Sequence, residues 1–195
     1  MKRGTLALAT VGTTLAAFAA GAAAAWVMSG AAWMRTGVGP GPWKTNAGTG
    51  DATAGPLHRA LVSRTGLWAL PQSEVVYFRA LTDDDGRPLS RACVYEIAGR
   101  GDPPTRWWSI NLYRDHFWVD NPTDRYSYSR TTVARAGDGS WRVRVAADPQ
   151  PGDWLPMGDQ DGLFLLSFRL YQPAPSVAAA PQETPLPGVR RISCA

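Results

Sequence analysis

The sequence is poor in the residue types that most often form metal sites and catalytic centres. Its 195 residues include two cysteines and two histidines, and lysine occurs only at positions 2 and 44. The histidines, His58 and His116, and the cysteines do not have the spacing of a transition-metal site. We therefore expect no metal and no cofactor, and the composition selects no catalytic residue.

Other familiar arrangements of catalytic or ion-binding residues are also missing from the sequence. No serine lies in a G-x-S-x-G turn, so a Ser–His–Asp triad would have to bring Ser109 to a histidine from elsewhere in the chain. The acidic run at 83–86 lacks the alternating ligands of a calcium loop, and a tight turn explains it better. No spacing of carboxylates selects a pair of the kind that hydrolyses sugars.

Acidic residues are absent from the first 50 positions, and this absence distorts the net charge. The formal charge is +4, but beyond Arg35 the chain carries 17 basic and 16 acidic residues, which nearly balance. A nucleic-acid-binding protein concentrates its basic excess on the folded part. We therefore expect no nucleic-acid partner.

A long uncharged segment near the N-terminus predicts the compartment. Residues 4–34 carry no charge, and the stretch 6–28 exceeds the roughly 20 residues that a spanning helix needs. A cleaved signal peptide is the alternative, because the alanines at 23–25 satisfy the small-residue cleavage rule; the length favours an anchor. The basic residues at positions 2 and 3 place the N-terminus in the cytoplasm. We therefore expect a single-pass protein of the bacterial inner membrane whose C-terminal domain is periplasmic or otherwise extracytoplasmic.

The chain divides into an anchor or signal (1–34), a Gly- and Pro-rich linker (35–50) and an exported domain (51–190). One soluble helix begins near Pro56 and ends near Gly66. After residue 70 the hydrophobic period becomes two, and a Pro-rich tail over 172–188 should run extended on the surface. The predicted strands are 74–81, 91–98, 106–113, 117–119, 126–134, 141–147 and 162–171. This pattern predicts a mostly β domain, an antiparallel β-sandwich or jelly roll with one N-terminal soluble helix, preceded by a transmembrane helix.

The two cysteines, Cys93 and Cys194, allow two interpretations. In an oxidising compartment a disulfide would tie the C-terminal tail to the domain. Cys194 is the penultimate residue, however, and chain termini fray. The position near the terminus therefore favours two unpaired thiols.

Several short motifs occur in a recognisable order. They include Gly41-Pro42-Trp43-Lys44, Gly66-Leu67-Trp68, Cys93-Val94-Tyr95, Trp107-Trp108-Ser109, Leu112-Tyr113, Trp154-Leu155-Pro156 and Arg169-Leu170-Tyr171. Over about residues 41–190 the chain resembles the bacterial family called domain of unknown function 1214, in its short, membrane-anchored form. The resemblance implies a mostly β, jelly-roll-like fold. It implies no reaction and provides no functional residues to transfer.

Alternation along three predicted strands separates an apolar face, which includes Trp108, from a polar one. If these strands are neighbours, one concavity would be lined by Tyr77, Arg79, Trp107, Ser109, Asn111, Tyr113 and Arg169. Arginine binds carboxylates and phosphates, and aromatic walls hold the organic part of a ligand. A half-solvated sheet face with cross-strand pairs explains the same residues without a ligand.

Three functions follow from these alternatives. The first is a non-catalytic role at the cell envelope, in which the domain binds a small anionic or aromatic ligand or a partner protein. The second is an envelope hydrolase or another enzyme that uses the Arg/Tyr/Ser/Asn face. The third is a purely structural accessory domain. A concavity with converging polar groups would favour the first two functions, and a flat solvated face would favour the third.

Overall fold

The computed structural model describes residues 3–28, 37–46, 48–64, 69–115 and 117–195. Gly66, which we expected to end the soluble helix, and His116 lie outside the described residues. The basic residue at position 2 and the first residues of the predicted linker also lie outside them.

An apolar helix, α1 (Arg3–Met28), forms the N-terminal part of the described chain. Its segment Ala7–Met28 has a mean hydropathy of 1.6 and is long and apolar enough to cross a membrane. The side chains of this segment are exposed. This helix is thus a candidate membrane span by length and composition, which a signal sequence would share.

The rest of the described chain is mostly β and forms two sheets. The elements are α2 (Pro56–Arg64), β1 (Val75–Ala80), β2 (Cys93–Gly99), β3 (Thr105–Arg114), β4 (Phe117–Trp118), β5 (Ser127–Ser129), β6 (Trp141–Ala146), β7 (Trp154–Pro156), β8 (Phe164–Pro173), α3 (Pro175–Ala179) and β9 (Gly188–Cys194). The first sheet has the strand order β1-β8-β3-β4, and β5 also pairs with β3; the second has the order β7-β6-β2-β9. Among these pairs only β6 with β7 is parallel.

The core lies between the two sheets and is built from the alternating apolar residues of each strand. Trp108 is fully buried and stacks on Trp141 with ring centroids 4.6 Å apart and on Phe168 at 5.1 Å. Since β3 and β8 belong to one sheet and β6 to the other, these rings join the two sheets. The predicted fold class and the apolar side of β3 are confirmed.

The boundaries of the strands differ from the prediction mainly where strands are short. The stretch predicted at 126–134 contributes only Ser127–Ser129 to a strand, and the residues after it form a turn. The short parallel strand β7 was not predicted, because three residues are too few to show a period.

The expectation of an extended C-terminal tail is wrong in part. Pro175 occupies the first turn of α3, where its missing N–H costs nothing, and the helix buries Val177. The tail leads directly into β9, which begins at Gly188 and pairs with β2 at the edge of the second sheet. The proline content of this segment predicted an extended surface tail, whereas the segment forms a short helix and leads into a strand of the second sheet.

The interpretation of the cysteines as unpaired thiols is also wrong. Cys93 and Cys194 form a disulfide. The register of β9 on β2 places the two residues directly opposite each other, and the backbone N–H of Ala195 donates to the carbonyl of Ala92. The terminus is thus held in a sheet, where the argument from fraying does not apply.

The described residues of the predicted linker pack against the domain. Val38 pairs with Thr45 across a turn, and Lys44 pairs with Arg79 at the edge of β1. Trp43 is 1% exposed, belongs to the hydrophobic core and donates its indole N–H to the carbonyl of Pro187 at 2.6 Å. We call residues 38–45 the N-terminal hairpin.

Candidate functional site

The three strands that carry the candidate residues are neighbours in the first sheet, in the order β1-β8-β3. Their registers bring the predicted residues into rows across one face. Arg169 lies opposite both Tyr77 and Ser109, while Ser167 lies opposite both Arg79 and Asn111. We call this set the polar face; with Ser167 and Tyr171 added, its members are Tyr77, Arg79, Trp107, Ser109, Asn111, Tyr113, Ser167, Arg169 and Tyr171.

Arg169 lies at the centre of the polar face, between two tyrosine rings. Its guanidinium carbon is 5.9 Å from the ring centroid of Tyr77 and 5.8 Å from that of Tyr113. Its Nη2 donates to the hydroxyl of Tyr113, whereas its buried Nε has no hydrogen-bond partner. None of the described carboxylates forms an ion pair with it. The guanidinium of Arg169 thus keeps its positive charge next to two tyrosine rings and without a described carboxylate partner.

The small polar residues of the face are buried between the larger side chains. Ser109, Asn111 and Ser167 are each 5% exposed, whereas Trp107 and Tyr113 are half-buried. The hydroxyl of Ser109 donates to Oδ1 of Asn111 at 3.3 Å, and Nδ2 of Asn111 donates to a backbone carbonyl. Ser109 is therefore bonded to an amide rather than to an imidazole or carboxylate, which is not the setting of an activated nucleophile.

Trp107 and Tyr171 form the aromatic end of the polar face. Their rings lie 5.1 Å apart at a tilt of 60°, since the two residues are directly opposite in β3 and β8. A cavity of about 280 Å³ adjoins this end. Its described lining consists of Leu70, Glu74, Val75, Arg106, Trp107, Tyr171 and Gln172.

Arg79 lies at the opposite end of the polar face. Its side chain is 8% exposed, and burial lowers the pKa of the guanidinium to about 10. It lines a second cavity, of about 480 Å³, which extends towards the N-terminal hairpin. On the outer side of β1 its backbone pairs with Lys44, which lies in the predicted linker. The hydrophobic pattern of residues 35–50 gives no indication that Lys44 pairs with β1.

His58, the described histidine, lies on α2. Its Nε2 is 3.4 Å from the hydroxyl of Thr49. In the described residues no group of three His, Cys, Asp or Glu side chains could hold a metal ion. The polar face itself presents guanidinium, hydroxyl, amide and aromatic groups, which can form hydrogen bonds to a ligand or stack against it.

A sequence-family model described as a protein of unknown function (DUF1214) matches residues 74–175, just over half of the chain. The chain belongs to the DUF1214 family. The matched part of this DUF1214 chain contains every residue of the polar face. Lys44 of the N-terminal hairpin and Cys194 of β9 lie outside it.

A comparison with solved structures found a protein of similar fold to this DUF1214 chain. The VPA0106 protein from Vibrio parahaemolyticus matches with a TM-score of 0.59 and 19% identity, covering 72% of this chain and 36% of that one. An uncharacterised protein from Burkholderia cenocepacia matches with a TM-score of 0.45 and 18% identity, covering 61% of this chain and 30% of that one. The chain thus spans about a third of each of these proteins. No curated protein matches it in sequence.

Proposed function

We propose that this protein is a binding protein of the cell envelope. In this proposal α1 holds it in the inner membrane with its N-terminus in the cytoplasm, and the sandwich outside the cytoplasm binds a small anionic organic molecule on the polar face. The apolar character of α1 and the basic Arg3 at its start support the location. The setting of Arg169 supports the ligand.

The single observation that carries the proposal is the incomplete hydrogen bonding of Arg169. A guanidinium has five N–H donors, and the buried Nε of this one has no acceptor. A buried donor without a partner costs on the order of 1–3 kcal/mol. A carboxylate or phosphate oxygen would accept this hydrogen bond and would also balance the charge, which no described carboxylate does.

The surroundings of Arg169 favour an organic molecule over a bare ion. The rings of Tyr77 and Tyr113 flank the guanidinium, and the Trp107–Tyr171 pair lies one row further along the face. Flat aromatic walls with a few polar groups between them are typical of small-molecule sites. Ser109 and Asn111 would supply hydroxyl and amide groups for orientation.

Native mass spectrometry of the full chain, released from detergent micelles, tests the proposal. The native mass of the wild type should exceed the denatured mass by that of a retained small molecule. Arg169→Gln should lose this excess, because it removes the charge and the free Nε–H. Arg142→Gln is the matched control: it neutralises an exposed strand arginine in β6 of the other sheet and should keep the excess.

Two results would contradict this function. An excess mass that Arg169→Gln keeps would place the molecule away from the polar face. Equal native and denatured masses in the wild type would count against a retained small molecule and favour a partner protein. For such a partner the exposed Phe117 and Trp118 of β4, 77% and 55% exposed, are the candidate contact.

A further inference from the structure

The second cavity, of about 480 Å³, lies at the edge of β1 beside the N-terminal hairpin. Its wall combines two cations, Lys44 and Arg79, with apolar groups of Pro42, Leu81 and Leu163. Its volume falls within the range of sites that hold small molecules, which is roughly 300–1,000 Å³.

The two cations face each other because of the backbone. Lys44 N–H donates to the carbonyl of Arg79 at 2.8 Å, and Arg79 N–H donates to the carbonyl of Lys44 at 2.8 Å. In such a hydrogen-bonded antiparallel pair the Cα atoms are about 5.5 Å apart and the side chains emerge on the same side. Like charges in directly opposite positions destabilise a sheet. An anion between them would remove this repulsion.

The carboxylates in the cavity wall already have other partners. Asp83 is 1% exposed; its Oδ2 lies 3.1 Å from Nε of Arg87 and 2.7 Å from Nε of Arg191. Burial would raise the pKa of Asp83, but the hydrogen bonds from Arg87 and the charges of both arginines lower it overall. Oδ1 of Asp84 accepts the backbone N–H of Val189 at 2.8 Å. The negative charge of Asp83 is therefore balanced without Lys44.

The ammonium group of Lys44 has little to bind within the described part of the chain. It forms no ion pair there, and its Nζ donates only to the carbonyl of Gly39, at 3.5 Å. Arg79 is positively charged at neutral pH even with its lowered pKa of about 10. The cavity thus places two cations beside an apolar wall; of the two carboxylates that also line it, Asp83 is paired with two arginines and Asp84 accepts a backbone N–H.

We propose that this cavity is a second binding site, which takes an oxyanion (a carboxylate or a phosphate) attached to a small apolar body. Lys44 and Arg79 hold the oxyanion from two sides, and Pro42, Leu81 and Leu163 contact the apolar body. The site shares Arg79 with the polar face but is distinct from the surroundings of Arg169, because Lys44 lies on the N-terminal hairpin and Arg79 lies one row away from Arg169.

The test is the unfolding midpoint of the full chain in non-ionic detergent, measured by tryptophan fluorescence with phenyl phosphate, benzoate or inorganic phosphate at constant ionic strength. A ligand that binds the folded state raises the midpoint as its concentration rises. Phenyl phosphate or benzoate should raise it more than inorganic phosphate does, since the latter lacks the apolar body. A response to phenyl phosphate alone would assign a phosphate, and a response to both organic probes would assign oxyanions in general.

Variants locate the effect. Lys44→Gln should raise the probe concentration needed for a given shift of the midpoint at least about tenfold, because it removes one charged partner of the oxyanion. Lys44→Arg keeps the charge and should need the same concentration as the wild type. Arg142→Gln should respond as the wild type does, and Arg169→Gln, which removes the central cation of the polar face, should keep the part of the response that Lys44→Gln loses. A response that Arg169→Gln abolishes and Lys44→Gln keeps would overturn this site in favour of the polar face.

A second measurement needs no ligand. In chloride buffer Lys44→Gln should unfold at or above the midpoint of the wild type, because it removes the repulsion from Arg79. A clear fall would identify Lys44 as a structural residue and overturn the proposal. So would a wild type that shows no shift with any probe at about 10 mM, since specific sites have dissociation constants of about millimolar or below.

Discussion

Reduction of the Cys93–Cys194 disulfide should destabilise the domain strongly. The bond joins residues 101 positions apart and closes almost the whole sandwich into one loop. It fixes β9 to β2, and β9 brings Arg190 to Glu96 and Arg191 to Asp83. The perturbation is either a reducing agent or the double variant Cys93→Ala/Cys194→Ser.

The magnitude follows from the length of the closed loop. In the chain-entropy model a loop of about 100 residues restricts the unfolded chain by about 4.7 kcal/mol. For a domain of this size each kcal/mol moves the melting midpoint by roughly 2–4 °C. The oxidised protein should therefore melt about 10–20 °C above the reduced one.

The assay is thermal and urea unfolding of the full chain in mild detergent, followed by tryptophan fluorescence with and without a phosphine reductant. The double variant controls for side effects of the reductant, because it should melt like the reduced wild type and should not respond to the reductant. If oxidised and reduced proteins unfold within about 0.5 kcal/mol of each other, the loop-closure reasoning fails.

Three further predictions concern the sandwich itself. Trp108→Ala should lower the free energy of unfolding by about 3–5 kcal/mol, because the ring is fully buried, whereas Arg169→Ala should cost much less; equal losses in chemical denaturation would refute the assignment of faces. The hydrogen bond from Arg190 and the charges of nearby arginines hold the pKa of Glu96 below its ordinary value of 4.5, against the effect of burial. Stability from this pair is therefore complete above about pH 5 and is lost as pH falls through the lowered pKa, so Glu96→Gln should flatten the acid limb of a stability–pH curve. Asp102→Asn should cost about 1–3 kcal/mol, since Asp102 pairs with two arginines and accepts the indole N–H of Trp108 at 2.7 Å; a neutral result in urea unfolding would contradict it.

The fold was predictable where strands are long enough to show a period. β1, β3 and β8 alternate core-facing apolar residues with residues of the polar face over at least five positions, and the core-facing residues are buried as expected. β7 and β9 were not predicted for different reasons. β7 has three residues, and β9 follows a proline-rich segment close to the chain terminus, where local composition suggested a loose tail.

The candidate site was predictable in its central part. The alternation of apolar and polar residues predicted that Tyr77, Ser109 and Arg169 each lie on the side of their strand away from the core. The strand order β1-β8-β3 then aligns them in one row. Lys44 could not be predicted, because a single bridge between distant segments leaves no mark on local sequence. For the same reason the pairing of Cys93 with Cys194 depended on a register that only the folded chain supplies.

The two sides of the first sheet bury residues of different chemistry. On its core side β3 buries Trp108, Ile110 and Leu112, which gain stability from their burial. On its other side the same strand buries Ser109 and Asn111, which gain little because their lost hydration must be replaced by hydrogen bonds. Replacing both partners of a buried hydrogen bond by apolar groups of the same shape can be nearly neutral or stabilising, so stability alone does not require serine and asparagine there. Their presence beside an arginine whose Nε lacks an acceptor is what the anionic ligand of the proposed function would account for.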